Sequence, residues 1–172
     1  VKRLYFVRHG ESEANVAQVF AGRFDTPLTP KGRAQAKVAG EQAKSLDIDH
    51  IVSSPLSRAH DTAVIIAEQI GILADSIGID SALLERGYGP LQGMPYGTQS
   101  DSDLDKIVGV EPIDAVLARA KLAYQHLLTI ADDTVLVVSH GAFWRALRTV
   151  IHPESPLEEG DEPRNAEIVQ LL

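Results

Sequence analysis

Short unbroken apolar runs alternate with longer mixed segments along this chain. Leu4-Tyr5-Phe6-Val7 within residues 3–8, Ile51-Val52, and Val135-Leu136-Val137-Val138 within 134–139 read as strands buried on both faces, as in a parallel sheet. Thr29 followed by Pro30 marks a helix start and predicts helix to about Ser45. Ser54-Pro55 repeats that signal, and Gly71 suits the left-handed end of the helix that follows. From Pro112 onward Ile113, Val116, Leu117, Ala120, Ala123, Tyr124, Leu127 and Leu128 keep helical spacing. Helices are also expected over 12–18 and 142–151, and strands over about 76–80 and 166–172. Residues 19–29, 85–99 and 153–165 read as loops, and the acidic 100–111 segment shows no clear period. Strands alternating with helices predict an α/β fold: one domain over 1–172, three layers α/β/α, with a central mostly parallel sheet.

Composition narrows the chemistry. There is no cysteine, so disulfides, thiol catalysis and cysteine-ligated metals are excluded. The formal net charge of -8 comes with no Lys/Arg cluster, which argues against a nucleic-acid partner. No apolar stretch reaches the roughly 18 residues of a membrane span, and Arg8 cuts the first run too short for a signal peptide. A cytoplasmic protein with no membrane partner is expected. The sequence gives no sign of its oligomeric state.

Two strands end alike. The first runs into Arg8-His9-Gly10-Glu11, the 134–139 strand into Ser139-His140-Gly141. Ligands of open α/β sheets bind outside the carboxyl ends of the strands. His9 and His140 are therefore expected in one crevice, although 131 positions separate them. Arg58, early in the helix after the Ile51 strand, points to the same crevice, and Arg8 adjoins His9. Guanidiniums, imidazoles and helix N-termini at one point suit a phosphoryl group.

Other features carry less. The segment Gly87-Tyr88-Gly89-Pro90-Leu91-Gln92-Gly93 lacks the spacing of a dinucleotide fingerprint. Ser139 is not in a nucleophile elbow, since Val137 stands at the first glycine position. His50, His60, His126 and His152 lack metal-ligand spacing; His60 alone is close enough to Arg58 to line a pocket. The acidic 101–105 cluster reads as a solvated face.

Taken together, Arg8-His9-Gly10-Glu11-Ser12 with Asn15, Ser53-Ser54-Pro55-Leu56-Ser57-Arg58-Ala59 with Thr62-Ala63, Leu84-Glu85-Arg86-Gly87-Tyr88-Gly89 with Leu91 and Gly93, Ser139-His140-Gly141, and Asn165-Ala166 resemble the histidine phosphatase superfamily, in its phosphoglycerate mutase-like branch. The resemblance spans nearly the whole chain and implies a phosphoglycerate mutase-like fold. It also implies roles. His9 attacks phosphorus and becomes a phosphohistidine. Arg8, Arg58 and His140 hold the phosphoryl oxygens, with Asn15 as a further donor. Glu85 protonates the leaving oxygen and then activates water, with Glu11, Asp101 or Asp103 as alternatives. Gly22, Tyr88, Arg86 and Ala142 complete the expected binding set, and Arg23 and Phe24 shape its outer part. No metal and no cofactor is implied.

The chain departs from the mutases at three points. Tyr96 stands where they carry lysine, and Ala21 precedes Gly22 where they carry threonine. Their paired arginines have no counterpart between Gly93 and Pro112. Fewer substrate cations favour transfer to water, so the expected activity is hydrolysis of a small phosphorylated metabolite. A cofactor-dependent phosphoglycerate mutase is the alternative, and a non-catalytic phosphate-binding regulatory module is the alternative of another class.

Overall fold

The computed structural model describes residues 3–97, 99–155, 157 and 161–172. Position 98 of the expected 85–99 loop and positions 156 and 158–160 of the expected 153–165 loop lie outside the described residues. The elements run β1 (Arg3–Arg8), α1 (Glu13–Ala17), α2 (Pro30–Ala43), β2 (His50–Ser53), α3 (Ser57–Ile70), β3 (Gly78–Ile79), α4 (Asp101–Leu104), α5 (Ile113–Leu128), β4 (Thr134–Ser139), α6 (Gly141–Ile151) and β5 (Ile168–Gln170). Among the described residues the sheet order is β3-β2-β4-β1-β5, parallel except for β5, which pairs antiparallel with β1. This is the expected three-layer α/β/α fold.

Side-chain alternation builds the layers. Leu4 and Phe6 of β1, with Val135 and Val137 of β4, face a core shared with α5 and α6. Their neighbours Tyr5, Val7, Leu136 and Val138 face the opposite core, shared with α2 and α3. A central parallel strand buried on both sides has no polar face to spare, which is why these runs are unbroken.

The helices follow local chemistry. Thr29 caps α2, its hydroxyl accepting from the Gly32 amide at 3.0 Å, with Pro30 in the first turn. Ala36, Ala39, Gly40 and Ala43 make a small-residue face that lets α2 lie close to α3. Gly71 ends α3 at φ 77°, as expected. The Ser54-Pro55 signal does not start α3. Leu56 is its N-cap and, being apolar, gives no side-chain cap; the Ser54 hydroxyl, two positions earlier, bonds His140 at 2.8 Å and accepts from the Leu56 amide at 3.4 Å. The last strand is shorter than expected, and the acidic segment holds the short helix α4.

Candidate active site

Strand register sets the site. Arg8 pairs with Ser139 across β1 and β4, and the His9 amide donates to the Ser139 carbonyl at 2.9 Å. His9 and His140 thus leave adjacent parallel strands side by side, with ring centroids 5.2 Å apart, edge to face at 61°. Gly10 then turns the chain under α2: a Cβ there would collide with the Gly32 carbonyl. The Gly10 amide is held by the Thr62 hydroxyl at 3.0 Å, which itself donates to the Arg58 carbonyl at 2.7 Å. The nucleophile turn and the Arg58 turn are therefore one hydrogen-bonded unit.

The His9 tautomer follows from its partner. Nδ1 lies 2.7 Å from the Gly10 carbonyl, which can only accept, so Nδ1 carries the proton. Nε2 makes no hydrogen bond to the described residues, and His9 lines a cavity of about 620 Å³. Burial is the main cause that pushes the His9 pKa well below 6.5; the Arg58 and Arg8 charges add to it, and the Gly10 bond opposes it. The ring is neutral, with its Nε2 lone pair available.

His140 is fully buried and lies behind His9, not on the cavity wall. Its Nε2 bonds Ser54 Oγ, and its Nδ1 is buried without a partner among the described residues. Burial, and after it the Arg58 charge, push its pKa well down too.

Arg58 is buried at the cavity edge. It donates to the carbonyls of Phe24 at 2.7 Å and Gly22 at 2.8 Å, tying down the loop before α2. Two of its five donors are so used, and Nε has no partner among the described residues. Gly22 has φ 51° and lines the cavity, its left-handed backbone aiming that carbonyl at Arg58. Arg8 also lines the cavity. It donates to the Pro163 carbonyl at 3.1 Å and pairs with Glu162 at 3.0 Å.

Glu85 closes the cavity from the other side. Oε1 accepts from the amides of Arg86 at 2.9 Å and Phe143 at 3.1 Å, and Oε2 from Ala142 at 3.4 Å. The first turn of α6 thus grips the carboxylate by free backbone donors. Ala142 contributes its amide to Glu85. Asn15 faces the cavity from α1, its Oδ1 anchored by the Ser12 amide at 3.0 Å and by Asn165 Nδ2 at 3.3 Å, which leaves its own Nδ2 for a ligand. Tyr88 lines the cavity too; burial, reinforced by the Glu85 charge, pushes its phenol pKa far up.

Arg86 is a correction. It is fully buried and turns away from the cavity, bonding Asp105 at 2.6 Å, Asp101 at 2.8 Å and the Glu111 carbonyl at 2.9 Å. The 101–105 cluster is accordingly not merely a solvated face, because two of its carboxylates neutralise a buried guanidinium. Arg23, Phe24 and His60 are not among the cavity-lining residues. Arg23 instead donates to the Glu85 carbonyl at 2.8 Å. Phe24 acts through its backbone on Arg58.

Several supporting residues lie outside the set expected at the site. Ser54 binds His140, Thr62 binds Gly10, and Asn165 donates to the His9 carbonyl at 2.9 Å. Arg119 clamps the carbonyls of Ala82 and Leu84 at 2.8 and 2.6 Å, bracing the approach to Glu85. Arg145 and Glu162 line the cavity unforeseen. Arg145 had a legible signal: it lies one helical turn after Gly141 and so shares its face. Among the described residues no group of three or more histidines or carboxylates could hold a metal, and no helix is long and apolar enough to cross a membrane.

Known proteins resemble this chain over most of its length. The family model of the histidine phosphatase superfamily (branch 1) matches residues 4–171. A probable phosphoglycerate mutase, GpmB, of Salmonella paratyphi A is 34% identical over 152 residues, covering 81% of this chain and 69% of that protein. The uncharacterized phosphatase PhoE of Bacillus subtilis is 35% identical over 158 residues, covering 87% and 77%. The structure of a mycobacterial glucosyl-3-phosphoglycerate phosphatase in complex with VO3 superposes with a TM-score of 0.80 at 27% identity, covering 99% of this chain and 90% of that one.

Proposed function

The chain belongs to the histidine phosphatase superfamily, and from that premise we propose that it hydrolyses phosphate monoesters of small metabolites through a phosphohistidine on His9. The observation that carries this reading is the His9 ring itself. Nδ1 is committed to the Gly10 carbonyl, burial keeps the ring neutral, and the uncommitted Nε2 sits in a cavity also lined by Arg8, Arg58 and Glu85.

The steps balance on these residues. His9 Nε2 attacks phosphorus, the P–O ester bond breaks, and its electron pair leaves with the ester oxygen. Glu85 gives that oxygen a proton. Water then attacks the phosphohistidine, Glu85 takes its proton, and the P–N bond breaks to return the lone pair to Nε2. One hard displacement becomes two easier ones. Arg8, Arg58 and the Asn15 amide bind the equatorial oxygens, fixed in advance by their own backbone partners. His140, off the cavity wall and bonded to Ser54, packs edge to face against His9 and positions that ring. We read residues 1–172 as one catalytic domain that needs no cofactor, and its setting as the cytoplasm.

The likeness to phosphatases of Bacillus and mycobacteria supports hydrolysis. The likeness to a probable phosphoglycerate mutase keeps isomerisation as the second reading. Mixing the protein with 3-phosphoglycerate and its bisphosphate separates them. Stoichiometric phosphate release supports the phosphatase, and conversion to the 2-isomer without release supports the mutase.

A further inference from the structure

One aromatic wall of the cavity takes no part in the catalytic steps. Phe20, Tyr88 and Tyr96 all line that wall. Phe20 lies 4.7 Å from Tyr88, tilted 45°, and 5.2 Å from Tyr96 at 82°. Phe20 and Tyr88 are anchored in a small apolar cluster.

Tyr96 differs: it is 51% exposed although its backbone is tied down. Its amide donates to the Gln18 carbonyl at 3.0 Å, Val19 bridges Pro95, and the Phe20 amide donates to the Met94 carbonyl at 2.9 Å. An edge-to-face contact covers at most one face of each ring. Tyr96 therefore keeps an open aromatic face on a cavity, on a backbone that does not have to be ordered when a ligand arrives. Gln18, Gln99 and Arg145 line the same cavity. The Arg145 guanidinium is only loosely engaged, reaching Asp101 at 3.5 Å.

We propose that Tyr96 is a specificity-determining residue that stacks on a cyclic leaving group, and that the substrate is the phosphate ester of a sugar ring. The inference rests on the phosphatase reading of the inner cavity. A sugar ring offers an apolar C–H face to an aromatic plane and hydroxyls at its edge to Gln18, Gln99 and Arg145. An open-chain polyol must first freeze several torsions to present the same face. The ring is selected by being pre-ordered.

The test compares glucose 6-phosphate with sorbitol 6-phosphate, which carry the same phosphate on ring and open chain. The wild type is expected to favour the ring ester in kcat/KM by about tenfold. Tyr96→Ala brings that ratio toward unity, and Tyr96→Phe restores it. A ratio is insensitive to the fraction of variant that folds. Equal wild-type kcat/KM for the two esters overturns the proposal. So does a ratio unmoved in Tyr96→Ala. A preference for adenosine 5′-monophosphate over ribose 5-phosphate as well as over both of these esters overturns the sugar assignment in favour of a flat base. If neither these esters nor p-nitrophenyl phosphate is hydrolysed, the phosphatase reading fails by itself. Calorimetric affinities for the same pair then decide: about tenfold tighter ring binding supports the role of Tyr96, and equal affinities remove it.

Discussion

His9 and His140 meet edge to face, 5.2 Å between ring centroids, because β1 and β4 are adjacent parallel strands in a register that aligns Arg8 with Ser139. Burial disfavours charge on either imidazole, and the Arg58 charge disfavours it further on both. The pair is therefore held neutral, and a neutral His9 is what nucleophilic attack on phosphorus requires.

That neutrality makes stability depend on pH. Both histidines have folded-state pKa values well below the ordinary 6.5. Above pH 6.5 neither state takes up these protons, and stability is at its full value. Below it the unfolded chain binds protons that the folded chain refuses, so stability falls as pH falls, until the folded-state pKa values are passed. Each group contributes about 1.4 kcal/mol per pH unit, so the pair gives a slope of up to about 2.7 kcal/mol per unit. Urea unfolding between pH 7 and 5 measures it. His9→Gln is expected to lower the slope, and a flat profile in the wild type contradicts the assignment.

Arg58 has two duties that a substitution series can part. Arg58→Met removes the charge and the bonds to Gly22 and Phe24. It should raise the His9 pKa without bringing it to the ordinary value, since burial persists. It should also cut kcat/KM by about 10²–10³-fold. Arg58→Lys keeps the charge but not the planar fork. It should leave the His9 pKa low and still lose activity. NMR titration of His9 beside steady-state kinetics tests both.

Glu85→Gln should weaken hydrolysis according to the leaving group. For alkyl phosphates, whose alkoxide needs a proton, kcat/KM falls by about 10²–10⁴-fold. For p-nitrophenyl phosphate, whose phenolate leaves unaided, the loss is much smaller. Equal losses on both would remove the proton-donor role.

The Arg86 cluster holds structure, not substrate. Changing Asp101 and Asp105 together to alanine leaves a fully buried guanidinium without its carboxylates and should cost about 3–5 kcal/mol in urea unfolding. Either single change costs less, since one carboxylate remains. An unchanged unfolding midpoint would contradict this structural role of Arg86.

Features fixed by local chemistry were legible in the chain. The Thr29-Pro30 cap, the Gly71 stop and the unbroken Val135–Val138 run each follow from neighbouring residues alone. The convergence of His9, Arg58 and His140 was legible because each follows a strand's carboxyl end, and parallel pairing brings those ends together. What escaped depends on distant partners. Ser54-Pro55 reads as a cap, but α3 starts later, at Ser57, and the serine hydroxyl serves His140, 86 positions on. Arg86 beside Glu85 reads as a substrate cation. Only the folding of α4 onto it brings up Asp101 and Asp105 and turns it inward. Glu162 reaches Arg8 from the far end of the chain, through contacts no local pattern records.

The central claim is that His9 Nε2 carries the phosphoryl group. Rapid quenching with a radiolabelled phosphate ester, followed by peptide mapping, tests it most directly. The account predicts an acid-labile, base-stable label on the peptide containing His9, appearing and decaying at rates that support turnover. It also predicts that His9→Ala is folded but forms no label and releases no phosphate. A label on another residue, or phosphate release undiminished in His9→Ala, would contradict it.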